Sequence, residues 1–136
     1  MARGMSASMI LLDTCALLAL ASPSFPFSDD ARALLEQTSV DLLVSAITAF
    51  EIGQKHAGKK IQLPLLPVQW YRALLDRFQI REVDVSASTA FLASSLPAIH
   101  RDPFDRILIA TALERNLTIR TCDRVIPTYP GIQTLW

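Results

Sequence analysis

The stretch HRDPFDRILIATALERNLTIRTCD, residues 100–123, reads as a helix and the strand that follows it. Pro103 suits a first helical position, where its missing N–H costs nothing, and Asp102 ahead of it suits the N-cap. Phe104, Ile107 and Leu108 recur at helical spacing. Ile109, Ala110, Ala112 and Leu113 then make the middle apolar nearly all round, so a buried helix is expected over 103–116. Asn116 suits its exit. The β-rich run LTIRTC (117–122) comes next and ends on Asp123. A buried helix leading into a short apolar strand is the unit of an α/β fold with a mainly parallel sheet.

The rest of the chain continues this pattern. MILL (9–12) is a short apolar run ending at Asp13, and DLLVSA (41–46) is another, leading to Ser45. REVDV (81–85) is weaker, and IQTLW (132–136) follows the turn signal Tyr129-Pro130-Gly131. Helices are expected between these runs. SDDARALLEQT (28–38) has Ser28 as N-cap and Leu34 and Leu35 inward. ITAFEIGQKHAG (47–58) places Ile47, Phe50 and Gln54 on one face and stops at Gly58. PVQWYRALLDRF (67–78) opens on proline and turns Val68, Tyr71, Leu74, Leu75 and Phe78 inward, and SASTAFLASSL (86–96) is small and apolar. The stretch KHAGKKIQLPLLP (55–67) is the least regular inside the domain.

The chain has 136 residues, 51% hydrophobic and 19% charged, which excludes a disordered protein and suits one domain over 9–136. Residues 1–8 are patternless and read as a tail, with Met9 a candidate functional start. No apolar run reaches the roughly 18 residues a membrane helix needs. MILLDTCALLALA is split by Asp13, so a cytoplasmic protein without a membrane partner is expected. GxGxxG and GxxxxGK[ST] loops are absent. Cys15 and Cys122 cannot build a zinc site alone and form no Cys-x-x-Cys pair, so two partly buried free thiols are expected. Net charge is zero, with 13 basic and 13 acidic residues, which by itself argues against nucleic-acid binding.

The placement of the acids points elsewhere. In open parallel sheets, ligands bind beyond the carboxyl ends of the strands. Asp13 and Asp123 each end a strand-like run. If those strands are neighbours, they lie about 4.8 Å apart, and two carboxylates there repel unless a cation or proton sits between them. Oxygen-only ligands suit Mg²⁺ or Mn²⁺ rather than zinc. Glu51, in the first turn or so of its helix, and Asp105, near the start of another, are further candidates. Taken one at a time, each acid reads equally well as a cap or a solvated residue.

In order and spacing, ILLDTCALL, VSAITAFEIGQKHAGKKI, HRDPFDRILIATALERNLTIRTCDRVI and YPGIQTLW resemble the PIN domain, and within it the VapC-type toxin ribonucleases of toxin–antitoxin pairs. The resemblance implies a three-layer α/β/α sandwich with a central, mainly parallel sheet of about five strands. By position it carries the four PIN acids onto Asp13, Glu51, Asp105 and Asp123. Thr14, Ser45 and Thr121 fall on small hydroxyl positions around them. It implies metal-dependent hydrolysis of RNA by a metal-activated water, with Mg²⁺ as cofactor and Mn²⁺ as substitute. Asp13, Asp105 and Asp123 are then expected as metal ligands. Glu51 is left to orient the water or a second metal, and Asp102 to cap the helix that presents Asp105.

With the four site acids set aside, the remaining surface tends basic. Lys55, Lys59, Lys60, Arg101, Arg106 and Arg124 are candidates for phosphate contacts, and Arg106 serves equally well as a structural partner of Asp105. His100 reads as a loop residue. The family resemblance further implies a homodimer and a VapB-type antitoxin; Trp70, Tyr71, Phe25 and Phe27 are candidates for such surfaces or for the core. Two other readings compete with a toxin ribonuclease. One is a PIN-fold binding module with weak or no catalysis in a DNA-bound antitoxin complex. The other is an aspartyl phosphatase, disfavoured because Asp13 is followed by Thr-Cys and not by a second aspartate nearby.

Overall fold

A computed structural model of the chain describes residues 9–22 and 40–136. The tail at 1–8, the helix expected over 28–38, Phe25 and Phe27 lie outside the described residues. Five strands are present: β1 (Met9–Leu12), β2 (Asp41–Ser45), β3 (Arg81–Val83), β4 (Thr118–Arg120) and β5 (Gln133–Leu135). They form one sheet in the order β3-β2-β1-β4-β5, every pair parallel. The helices among the described residues are α1 (Thr14–Leu20), α2 (Ala46–Ala57), α3 (Pro67–Phe78), α4 (Ala87–Ser95) and α5 (Pro103–Arg115).

Side chains alternate across the sheet and separate two cores, since successive strand residues point to opposite faces. Ile10, Leu12, Leu42 and Val44 pack on one side with Ala16 and Leu17 of α1, Ile52 of α2, and Trp70, Tyr71 and Leu74 of α3. Leu11, Leu43, Val83 and Ile119 pack on the other with Leu108, Ile109 and Ala112 of α5. The result is the α/β/α sandwich. Leu108 to Ala112 are all buried, as the all-round apolar middle of α5 requires. Asp102 caps α5, Pro103 opens it and Asn116 ends it in the left-handed conformation at φ 55°.

Three expectations need correction. The short helix α1 begins directly at Asp13, whose side chain caps it, and carries the LLAL run that the pattern left unassigned. Helix α2 starts at Ala46 because Ser45 accepts from Ile47 N, so its buried face is Thr48, Glu51 and Ile52. Phe50 therefore faces out, 59% exposed, and meets the Phe104 ring edge-on at 5.6 Å. In α3 the buried face is Trp70, Tyr71 and Leu74, while Val68, in the first turn beyond the rim of the core, is 66% exposed.

The register sets up the site. Leu12 stands opposite both Val44 and Arg120. The next residues, Asp13, Ser45 and Thr121, form a row across the carboxyl edge of the three central strands. Asp13 N still donates to Arg120 O at 3.2 Å, so the ladder holds this first acid in place.

Candidate active site

At this edge a 470 Å³ cavity is lined by Asp13, Thr14, Cys15, Glu51, Lys55, Asp102, Asp105, Cys122 and Asp123, and it runs on to Leu18 and Ala19. Asp13 Oδ1 accepts from Ala16 N at 2.7 Å, capping α1. Thr14 Oγ1 donates to Glu51 Oε1 at 2.5 Å, joining α1 to α2. Glu51 is the sixth residue of α2, in its second turn rather than its first, and is buried. Its Oε2 lies 3.4 Å from Lys55 Nζ, one turn on. Asp123 accepts from Val125 N at Oδ1, and its own N–H donates to Thr121 Oγ1, both at 2.9 Å.

One histidine joins two of the acids. His100 Nε2 lies 2.7 Å from Asp123 Oδ2 and 2.9 Å from Asp105 Oδ2. Asp102 N donates to His100 Nδ1 at 3.3 Å, which places the imidazole proton on Nε2, between the two carboxylates. Asp102 itself accepts from Phe104 N at 2.9 Å as the N-cap of α5. The N–H of Asp102 is thus taken by His100, and Asp105, third in the helix, turns its carboxylate to the cavity instead of closing a capping box.

A PIN domain profile matches residues 10–131. The chain belongs to the PIN domain family. It is also 32% identical over 99 residues to Ribonuclease VapC22 of Mycobacterium tuberculosis, a stretch covering 71% of this chain and 75% of that protein. The fold recurs in VapBC2 from Rickettsia felis bound to a DNA fragment from its promoter, with TM-score 0.67 at 17% identity over 94% of this chain and 98% of that one. It recurs as well in FitAcB from Neisseria gonorrhoeae, with TM-score 0.66 at 20% identity over 94% of this chain and 97% of that one.

The acids of this PIN site differ in their electrostatics. Burial raises Asp13 above the usual carboxylate range, with Glu51 and Asp123 adding to the effect and bonds from Thr121 and Ala16 opposing it. Burial, then the charge of Asp102, pushes Asp105 up to about 7 although His100 pulls it down. Asp123 goes the other way: despite its partial burial, the Val125 N–H and His100 hold it below its ordinary value. Asp13, Glu51, Asp105 and Asp123 face one cavity, and carboxylates crowded in this way are favoured in their charged form by a cation bound among them. Oxygen donors of this kind fit a hard divalent cation. Side-chain atoms of His100, Asp105 and Asp123 all lie within 4.8 Å of one another, with the imidazole between the two carboxylates.

Not every candidate residue from the sequence gathers here. Asp13, Thr14, Glu51, Lys55, Asp102, Asp105 and Asp123 line the PIN cavity, with Ser45 and Thr121 behind them as the α2 cap and the partner of Asp123. Arg101 and Arg124 are exposed and outside the lining. Arg106 is engaged elsewhere. Its guanidinium donates to the carbonyls of Ala93 and Leu96 through Nη2, at 2.8 and 3.0 Å, and to those of Pro97 and His100 through Nη1, at 3.0 and 3.2 Å. This clasps the loop that carries His100 and leaves the side chain no orientation toward a phosphate. Arg106→Ala is expected to lower the unfolding free energy by about 2–3 kcal/mol, because several charge-assisted bonds vanish together. Urea denaturation measures this, and a loss below about 0.5 kcal/mol would show the clasp to be passive.

Sequence spacing does not mark His100 or Arg120 as site residues. Arg120 is fully buried under the row of acids, its guanidinium 5.5 Å from the centre of the Trp136 ring, and burial lowers it to about 10 while Asp13 opposes the shift. A lone histidine in a loop and an arginine at a strand end carry no pattern that would mark them. Both become visible only once β1, β4 and the start of α5 are in place.

Proposed function

We propose that this PIN domain is a divalent-metal-dependent endoribonuclease, the toxin of a toxin–antitoxin pair. One observation carries the reading: Asp13, Glu51, Asp105 and Asp123 converge on one cavity at the carboxyl edge of the sheet. The 32% identity to a protein named as a ribonuclease supports it. The cation we favour is Mg²⁺, with Mn²⁺ as substitute, held by Asp13, Asp105 and Asp123. When bound, the cation lowers the pKa of water and offsets charge on the phosphate and the leaving oxygen.

The chain's own residues do the rest. Ala16 N–H and Thr121 fix Asp13, and Val125 N–H and Thr121 fix Asp123, so the ligand oxygens are preorganised. Glu51 is anchored at Oε1 by Thr14, which leaves Oε2 and Lys55 to orient water and scissile phosphate. No serine or cysteine nucleophile is assigned, and the attacking water is external, so the 2′-hydroxyl plays no part. The products should therefore carry 5′-phosphate and 3′-hydroxyl ends. The fragments should accept a labelled 5′-phosphate from a kinase only after phosphatase treatment. Products with 2′,3′-cyclic phosphate would exclude the external-water mechanism.

The partners follow from the same reading. Leu65, Leu66 and Val68 stand exposed together where the chain enters α3, and Phe50 is exposed beside the site. Such surfaces suit a homodimer and a VapB-type antitoxin. Among the described residues no helix is long and apolar enough to cross a membrane, and we place the action on RNA in the cytoplasm. A PIN-fold module that only binds would be indifferent to acid-to-amide changes.

A further inference from the structure

Cys15 and Cys122 are 107 residues apart in sequence, yet their sulfurs lie 2.8 Å apart. Both are free thiols, Cys122 exposed and Cys15 half-buried. Their positions matter as much as their contact. Cys15 lies in the first turn of α1, two residues after Asp13, and Cys122 immediately precedes Asp123. Both line the acid cavity. Cys15, Leu18 and Ala19 share one face of α1 by helical spacing, so the sulfur pair sits where the cavity passes from its acids to its apolar end. The pair also spans the join between β1 and β4, the two strands whose ends carry Asp13 and Asp123.

We propose that Cys15 and Cys122 are a reversible disulfide pair, closed by a small-molecule disulfide, that locks the first turn of α1 to the loop carrying Asp123. The exposed Cys122 meets the oxidant first. Its sulfur attacks one sulfur of the small disulfide and expels one thiolate. Cys15 Sγ then attacks Cys122 Sγ in the mixed disulfide and expels the second thiolate. The two cysteine protons end on the two released thiols, and the two electrons lost by the cysteines reduce the small disulfide. Sulfurs already in contact need little backbone movement to bond. Because the bond closes a loop of about a hundred residues, it constrains the unfolded chain strongly. Reduced, the segment leading to Asp123 is tied to the start of α1 only by non-covalent bonds, among them Asp13 N–H to Arg120 O; oxidised, the join is covalent.

The test uses the full chain with oxidised glutathione under native conditions, followed by intact-mass and peptide mapping. The expected product is a monomer lighter by two hydrogens, with a crosslinked peptide joining residues 15 and 122. Its Tm should rise by about 10 °C and return with dithiothreitol. Cys15→Ser should stop at the glutathione adduct on Cys122 and show no such rise. Cys122→Ser should give no crosslink. Persistence of free thiols, disulfide-linked dimers alone, or a crosslink that forms only in urea would overturn the assignment. None of these readouts depends on ribonuclease activity, so their failure leaves the proposed function untouched.

Discussion

Asp105→Asn should abolish RNA cleavage, by about a thousandfold or more, while Asp102→Asn should keep it within about threefold. On the proposed ligand set, the first change removes a charged oxygen from the cation, and a loss of several kcal/mol converts to that factor at about 1.4 kcal/mol per tenfold. The second leaves a side chain that caps nearly as well as aspartate, so α5 should still begin at Pro103 and present Asp105 unchanged. The two acids are three positions apart, and their hydrogen bonds already differ: Asp102 Oδ1 serves Phe104 N, and Asp105 Oδ2 faces His100 and the cavity. Equal loss in both variants would move Asp102 into the metal site. Asp105→Asn should also stabilise the metal-free protein. The folded-state pKa is raised to about 7, so this group favours folding at low pH and that contribution is lost as pH rises through about 7. At pH 8 the amide should therefore raise the metal-free Tm by roughly 3–6 °C, an effect of about 1 kcal/mol, and by little at pH 4. A Tm gain independent of pH would argue against the crowding of carboxylates.

Glu51→Gln should separate chemistry from metal binding. Glu51 is held by Thr14 and Lys55, whereas Asp105 and Asp123 are joined through His100. If it orients the attacking water, the amide keeps the Thr14 bond but loses the ability to take a proton, which is worth about 10²–10⁴ in rate. Cleavage should fall by at least about a hundredfold while the Kd for Mn²⁺, read by calorimetry, changes by less than about threefold. Asp105→Asn should instead weaken Mn²⁺ binding along with activity. Parallel loss of Mn²⁺ affinity in Glu51→Gln would make Glu51 a ligand of the same ion.

Much of this could be seen in the residues themselves, where the determining physics is local. Asp102-Pro103 starts α5 and Asn116 ends it because caps act within one turn. The apolar run ending on Asp13 marks the end of β1, whereas β4 stops at Arg120 and Asp123 lies three residues on in the loop; parallel pairing of β1 with β4 still brings both acids to one cavity. What stayed hidden depends on tertiary placement or on patterns that local spacing does not resolve. The LLAL run of α1 has no polar face from which to read a period. Phe50 looked like a core residue because its face was counted from Ile47; the Ser45 cap and the inward turn of Glu51 toward the cavity rotate it out. His100, Arg120 and the Cys15–Cys122 contact join segments far apart in sequence, and no spacing within either segment announces the other.

The most direct test of the central claim is cleavage of RNA by the purified chain with Mg²⁺ or Mn²⁺, beside an EDTA control and the Asp13→Asn variant. Asp13 is the acid most firmly fixed by the fold, capping α1 and bonded into the sheet ladder. Cleavage that needs the cation, stops with EDTA and falls by at least about a hundredfold in Asp13→Asn is the expected result. Equal cleavage by wild type and Asp13→Asn, or cleavage undiminished by EDTA, would contradict a metal-dependent ribonuclease built on these four acids.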